Sequence, residues 1–350
     1  MRERNHSRHG FTLKELLVVI FIISALLFLL IPMGGRGREA ARRLQCTNSM
    51  MQITLAMHNY HDTFGMFPTA MGGTGAGGNE NRLNALIAFI PFMESSDLYE
   101  QIQVGTAGAP PGGPAPWDKQ FPPWQRRLDN YRCYSAVDEE GDYKPTNYAF
   151  SIGDVTRDIH QLPKARGAFA PGLFTSFADF TDGNANTIAM TEIGTANRRN
   201  VHGQYAVGLP DTILTDPGIC WRTVDSGKKY YLASVRLHDR GRGYNWVDGG
   251  AGPGLVNTIL PPNGPTCAVG GLEAVDGVYS AGSEHPGGCN VAFCDGSVRF
   301  ISETIDTGDL SVAPPTVEDF AETEFASPYG VWGALGTIAG QEEVDRNDLE

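Results

Sequence analysis

Residues 16–31 contain a single polar side chain, Ser24. No other feature restricts the fold as strongly, because so long an apolar run must be covered by lipid, by another chain or by the rest of the protein. As a helix, residues 11–31 extend about 31 Å, close to the ~30 Å hydrocarbon core of a bilayer. One transmembrane helix is therefore expected over residues 11–33, and no second run of this kind occurs. Mean hydropathy over the whole chain is −0.23, which excludes a polytopic membrane protein.

The flanks narrow the reading. Residues 1–10 are polar, with Arg2, Arg4 and Arg8 against Glu3. No small-x-small cleavage site follows Ile31, which argues against a secretory signal peptide. A plain signal anchor fits, but it leaves Lys14 and Glu15 unexplained. A carboxylate near the membrane end of a helix costs free energy that a bland anchor has no reason to spend. If the chain were cut between Gly10 and Phe11, Glu15 would lie one helical turn from a new amino group. It could then pair with the amino terminus of a neighbouring copy. Arginines both precede and follow the run, Arg36, Arg38, Arg42 and Arg43 lying behind it, so the positive-inside count does not set the orientation.

The segment GFTLKELLVVI resembles the processing motif of type IV prepilins and pseudopilins. The resemblance implies cleavage after Gly10 by a membrane peptidase, N-methylation of Phe11 by the same enzyme, and subunit alignment through Glu15. Lys14 departs from the family pattern, which usually has an apolar residue there. The likeness continues through RRLQCTNSMMQITLAMHNYHDTFGMFP, PWD at 116–118, TNYAF at 146–150, DFTDGNANTIAMTE at 179–192, HPGGCNVAFCDGSVRFIS and YGVWGALGTIAG at 329–340. Together these are similar to the large prepilin-like group with a C-terminal processing-associated H-X9-DG domain of unknown function. The signature falls on His285, Asp295 and Gly296. The fold this implies is α+β and pilin-like, with a long N-terminal transmembrane helix packed on a large antiparallel β-rich body. Its divisions are a leader at 1–10, the span at 11–33, a continuation of the helix at 34–66, and a body at 67–350.

The residues support parts of that plan directly. Within 34–66, Leu44, Met51, Leu55 and His58 recur at helical spacing as one apolar stripe, and Gly65 and Pro68 end the helix. His58, His61 and Asp62 read as a helix terminus with capping side chains rather than a metal cluster. A second helical pattern at 83–103 is interrupted by Pro91, and a Gly/Pro/Ala-rich stretch follows it. Residues 117–350 read mainly as short strands and turns. In CNVAFCDGSVRFIS, Asp295-Gly296 predicts a two-residue hairpin turn. That register pairs Phe293 with Val298 and Val291 with Phe300. It places all four on one face, expected to pack on the long helix. The hairpin region spans 285–302.

Candidate chemistry is sparse. His285 and Asp295 would lie on the order of 20 Å or more apart along an extended strand, too far to share one ligand shell. His285 is expected to fix its loop and Asp295 the turn. Asp182, Asn184 and Asn186 resemble the opening of a calcium loop. Thr187 stands where an EF-hand has glycine and Ile193 where it has glutamate, so an Asx-stabilised turn fits better and calcium is only a weak candidate. The acidic run at 138–142 reads as a solvated loop. Residues 72–78 are glycine-rich but do not form a phosphate-binding loop. GxSxG, HExxH, CxxC and Walker patterns are absent. Six cysteines allow 15 full pairings. Cys289 and Cys294, about 16 Å apart along one strand, cannot bond each other. The loop-like surroundings of Cys220 and Cys267 favour that pair.

The formal charge of −13, from 27 basic and 40 acidic residues, argues against nucleic-acid binding, which needs a basic surface. The expected function is structural rather than enzymatic. It is a pseudopilin-like subunit of a type II secretion or type IV pilus-like system, in the inner membrane with its N-terminus cytoplasmic and its C-terminal domain periplasmic. Expected partners are the prepilin peptidase/N-methyltransferase and other pilin-like subunits or secretion machinery. No cofactor is expected. One alternative is an anchored binding module for polysaccharide or a surface ligand, using Trp117, Trp124, Trp221 and Trp246. The other is an anchored hydrolase, which no motif supports.

Overall fold

The computed structural model describes residues 11–30, 34–106, 108–136, 141–321, 325–342 and 344. Two helices open the chain, α1 (Leu13–Leu30) and α2 (Gly34–Phe64). Both Gly10 and Pro32 fall outside the described residues, as do the leader and the first part of the acidic run at 138–142.

The expected transmembrane helix is corrected here. Among the described residues no helix is long and apolar enough to cross a membrane. α1 has 18 residues, or about 27 Å, and its first turn holds Lys14 and Glu15. Nor do the described side chains of α1 pack on the body, since those from Phe11 to Leu26 are all exposed.

α2 is the helix that meets the body, and here too the structure revises the expectation. Leu44, Met51 and Leu55 are exposed, at 66%, 43% and 63%. The buried stripe is Cys46, Met50, Ile53 and Met57, with Ser49, Thr54 and Ala56 beside it. Both stripes have helical spacing, so periodicity alone could not select between them. The helix stops where Gly65 takes a left-handed φ of 74° and its N–H bonds back to the His61 carbonyl.

Among its described residues the body contains ten short strands: β1 (Met71–Gly72), β2 (Leu83–Asn84), β3 (Tyr148–Ser151), β4 (Ile188–Glu192), β5 (Ala206–Leu209), β6 (Leu255–Val256), β7 (Cys267–Val269), β8 (Gly277–Val278), β9 (Gly288–Phe293) and β10 (Val298–Ser302). Five form the main sheet, in the order β10-β9-β4-β3-β6. Its pairs are antiparallel except β3 with β6. A second sheet, β5-β7-β8, contains the parallel pair β5–β7. The antiparallel body expected from resemblance is therefore a mixed one. Short helices α3 (Leu86–Phe89), α4 (Ser96–Val104), α5 (Ala251–Gly254), α6 (Val317–Ala321) and α7 (Gly330–Gly336) complete it.

The β9–β10 hairpin forms, but one residue out of the expected register. Val298 pairs with Ala292, Arg299 with Val291 and Phe300 with Asn290. The Gly296 N–H bonds to the Phe293 carbonyl, the Phe293 N–H to the Ser297 carbonyl, and Gly296 has φ 87°. This is a three-residue loop with a left-handed glycine, which moves the pairing by one from a two-residue turn. A one-residue slip turns side chains to opposite faces. Val291, Phe293, Cys289 and Ile301 accordingly pack with Trp332 and Leu335 of α7. Ala292, Cys294 and Val298 join the core shared with Met50, Ile53 and Met57 of α2. β9 is buried along its whole length because both faces are covered.

Two further features fix the body. Cys220 and Cys267 form a disulfide, with Cα atoms 6.1 Å apart, that ties β7 to the helical turn Pro217–Thr223. Trp124 and Trp246 are fully buried and meet edge to face at 6.0 Å. They are core residues. Trp117 and Trp221 lie nearer the surface, under Arg82 and Lys228. The four rings thus share no single exposed face.

Candidate functional site

The first turns of α2 carry Glu39 and Cys46. Cys133 lies in the loop after the single turn at residues 129–131, Glu192 at the end of β4, and His285 in the Gly/Pro loop before β9. These five residues meet behind α2. Cys46 and Glu192 are 0% exposed, His285 2% and Cys133 5%.

The His285 ring is held from both sides. Nδ1 lies 2.6 Å from Glu39 Oε1. Nε2 faces inward, 3.4 Å from Cys133 Sγ and 3.6 Å from Glu192 Oε1. Glu192 is oriented by Asn290, whose backbone N–H reaches Oε2 at 2.8 Å and whose amide reaches Oε1 at 3.0 Å. The Tyr134 N–H donates to Cys46 Sγ at 3.1 Å, and the Cys133 N–H donates to Asn147 Oδ1 at 3.0 Å. Ser135 Oγ donates to Glu39 Oε1.

Proton affinities follow from these contacts. Burial disfavours a charged His285, but its hydrogen bonds to Cys46, Glu192 and Glu39 and the Glu192 charge overcome this and push it up to about 10. Cys133 donates to Cys46. That hydrogen bond brings the Cys46 thiol down to about 6 against the effect of burial, and keeps Cys133 above the ordinary thiol range. Burial raises Glu39, yet its bonds from His285 and Ser135 hold it below the usual carboxylate range.

The other end of the signature is different. Asp295 is exposed, and its Oδ1 accepts from the Ser297 N–H within the loop. His58 Nε2 donates to the Cys294 carbonyl at 2.9 Å, tying the same loop to the last turns of α2. His61 accepts from the Phe177 N–H and packs on Phe67 and Phe177. Cys289 and Cys294 are free and buried.

Asp182 anchors the C-terminal segment. Its Oδ2 accepts from the Gly340 N–H and Thr337 Oγ1, and its Oδ1 accepts from the Gln341 N–H. Asn184 accepts the Asp295 N–H through its carbonyl, and Asn186 donates to the Asp182 carbonyl. These bonds tie the turn at 182–186 to the C-terminal segment and to the β9–β10 loop.

Beside the cluster opens a cavity of about 710 Å³, lined by His202, Trp221, Tyr230, Glu284 and His285 among others. His202 Nε2 lies 3.2 Å from Glu284 Oε2. Ser283 also lines it, but its hydroxyl donates to the Gly288 carbonyl at 2.7 Å. The imidazole–carboxylate pair therefore has no hydroxyl set against it by that serine.

At the N-terminus, Glu15 Oε2 accepts from both the N–H and the hydroxyl of Thr12, at 2.8 Å each. Those bonds hold the carboxylate below its ordinary range. Glu15 and Phe11 are both exposed.

Glu39, Cys46, Cys133 and Glu192 carried no recognisable signal in the sequence. Cys133 and His285 are 152 residues apart, and no short motif links the members.

Fold and site together define an α+β body closed around a buried cluster of thiols, imidazole and carboxylate, with one long helix as its outer wall. Over residues 35–308 the chain matches the family model described as a protein of unknown function (DUF1559), and it belongs to that family. No curated protein and no solved structure matches it.

Proposed function

We propose that this protein is a prepilin-type assembly subunit, cleaved after Gly10, methylated at Phe11, and assembled through its N-terminal helices with other pilin-like subunits. Its body works outside the cytoplasm, at the inner membrane, in a type II secretion or type IV pilus-like system. The observation that carries this reading is the uncovered apolar surface of the two N-terminal helices. Along α1, Leu16, Leu17, Val18, Val19, Ile20, Phe21, Ile22, Ile23 and Leu26 are 44–74% exposed. On α2, Leu44, Met51 and Leu55 are also exposed, on the face turned away from the body. An apolar surface of this extent marks an association surface. Equivalent helices of other subunits cover it with matching chemistry.

Two further observations agree. Glu15 stands exposed beside Thr12, which supports a role in pairing with a neighbour's new amino terminus. The Cys220–Cys267 bond suits an oxidising compartment.

The test is intact-mass analysis of the full chain made in cells with an active prepilin peptidase. Loss of residues 1–10 and gain of one methyl group are expected. Gly10→Ala should retain the leader. Glu15→Val should be cleaved yet fail to co-purify with pilin-like subunits. Wild-type chain that keeps residues 1–10 beside an active peptidase sinks the reading.

A further inference from the structure

Cys46, Cys133, Glu192 and His285 each offer one ligand atom, and these atoms lie within 4.8 Å of one another. Tetrahedral zinc, with bonds of about 2.0–2.3 Å, sets its ligand atoms about 3.3–3.8 Å apart. The Nε2-to-Sγ and Nε2-to-Oε1 separations of 3.4 and 3.6 Å fall in that range.

The surroundings are also those of a metal centre. Glu39 binds Nδ1 of His285, so that loss of the Nε2 proton leaves a lone pair directed into the cluster. A carboxylate–histidine–metal arrangement needs that tautomer. Asn290 orients the Glu192 carboxylate, and the Tyr134 N–H donates to Cys46 Sγ, as outer partners of metal ligands do.

Charge points the same way. Two thiols and a carboxylate are buried together, and His285 is the only basic side chain in the set. A divalent cation balances the two thiolates at a place where unpaired charge is costly. Soft sulfur with imidazole and carboxylate in a tetrahedral set selects zinc over the hard oxygen-seeking ions. All four ligands are protein side chains and all are buried, so the centre is closed and structural rather than catalytic.

We propose that Cys46, Cys133, Glu192 and His285 bind one zinc ion that clamps the start of α2 to the main sheet, with Glu39 as the outer carboxylate that positions His285. Binding displaces the remaining thiol proton and the His285 Nε2 proton to solvent, leaving a neutral imidazole and two thiolates. This centre does not depend on the assembly reading above, and its test reads neither cleavage nor filament formation.

The experiment is elemental analysis of the full-length chain, purified without a polyhistidine tag or chelator and kept reduced. About one zinc per chain is expected. Cys46→Ser, Cys133→Ser and His285→Gln should each lose it, while Cys294→Ser, at the far end of β9, should keep it. Cobalt substituted for zinc should show thiolate-to-metal charge-transfer absorption that Cys133→Ser abolishes. Glu39→Gln should still bind, but about 10–100-fold more weakly. The wild-type stoichiometry decides the matter even where a variant fails to fold. Wild-type chain that holds no zinc and takes up neither zinc nor cobalt overturns the proposal. So does a Cys46–Cys133 disulfide in a parallel sample isolated without reductant, or a Cys46→Ser variant with undiminished metal.

Discussion

The two ends of the H-X9-DG signature sit in opposite physical settings. His285 is buried among two thiols and two carboxylates, whereas Asp295 is an exposed turn residue bonded to its own loop. What joins them is α2. Its Glu39 and Cys46 meet the histidine end, and its His58 meets the loop at the other. Between them residues 285–287 form a turn and only β9, about 17 Å, is extended, whereas the helix from Glu39 to His58 covers about 28 Å. One end supplies chemistry, the other only geometry. The two should respond very differently to substitution.

The largest effect is expected at the histidine. His285→Ala removes the central member of a buried charged cluster and should lower the unfolding free energy by about 3–5 kcal/mol, measured by urea denaturation. A loss under about 1 kcal/mol would mean that the cluster carries no stability. Next come the two faces of α2. Met50→Ala opens a cavity behind the sheet and should cost about 2–5 kcal/mol. Leu55→Ala, on the outer face, should stay within about 0.5 kcal/mol and weaken only association with other subunits. Similar losses at both sites would contradict the division of faces.

Replacing Cys220 and Cys267 together by serine should cost about 2–4 kcal/mol and leave the metal content unchanged, because this bond is not part of the His285 cluster. At the turn end, Gly296→Ala forces a left-handed φ on a β-carbon and should cost about 1 kcal/mol, with little effect on metal binding. Were it to match His285→Ala, the contrast between the two ends would fail.

The smallest effect is a pH dependence away from both ends. Burial and the Arg240 charge hold His238 below its ordinary value of 6.5, and its Nδ1 accepts the Arg240 N–H. The unfolded chain therefore takes up the proton first. Stability from this site is complete above about pH 6.5 and falls as the pH drops below it. Urea midpoints at about pH 7.5 and 5.5 should show that loss in wild type and less of it in His238→Phe. Equal slopes would remove His238 as the cause.

Local signals carried well through the chain. Gly65 and Pro68 mark the end of α2, and Asp295-Gly296 marks the hairpin, because a left-handed backbone position constrains which residue can stand there. The same signal could not fix the register, since Asp-Gly serves loops of two residues or three. Periodicity detected α2 but picked the stripe of Leu44, Met51 and Leu55, whereas the sheet covers the one containing Met50 and Ile53. The apolar run at 16–31 promised a membrane span, whereas α1 is an 18-residue helix with a charged first turn.

The sequence by itself determined the helix, the hairpin and the presence of a long apolar surface, since these depend on residues close together in the chain. Only the tertiary structure decided the cluster. Glu39, Cys46, Cys133, Glu192 and His285 come from a helix, two loops and a strand end, and each is an ordinary residue in its own segment. Packing α2 against β9 brings them within bonding distance and removes water. That loss of solvent turns scattered polar side chains into a charged site that must be compensated.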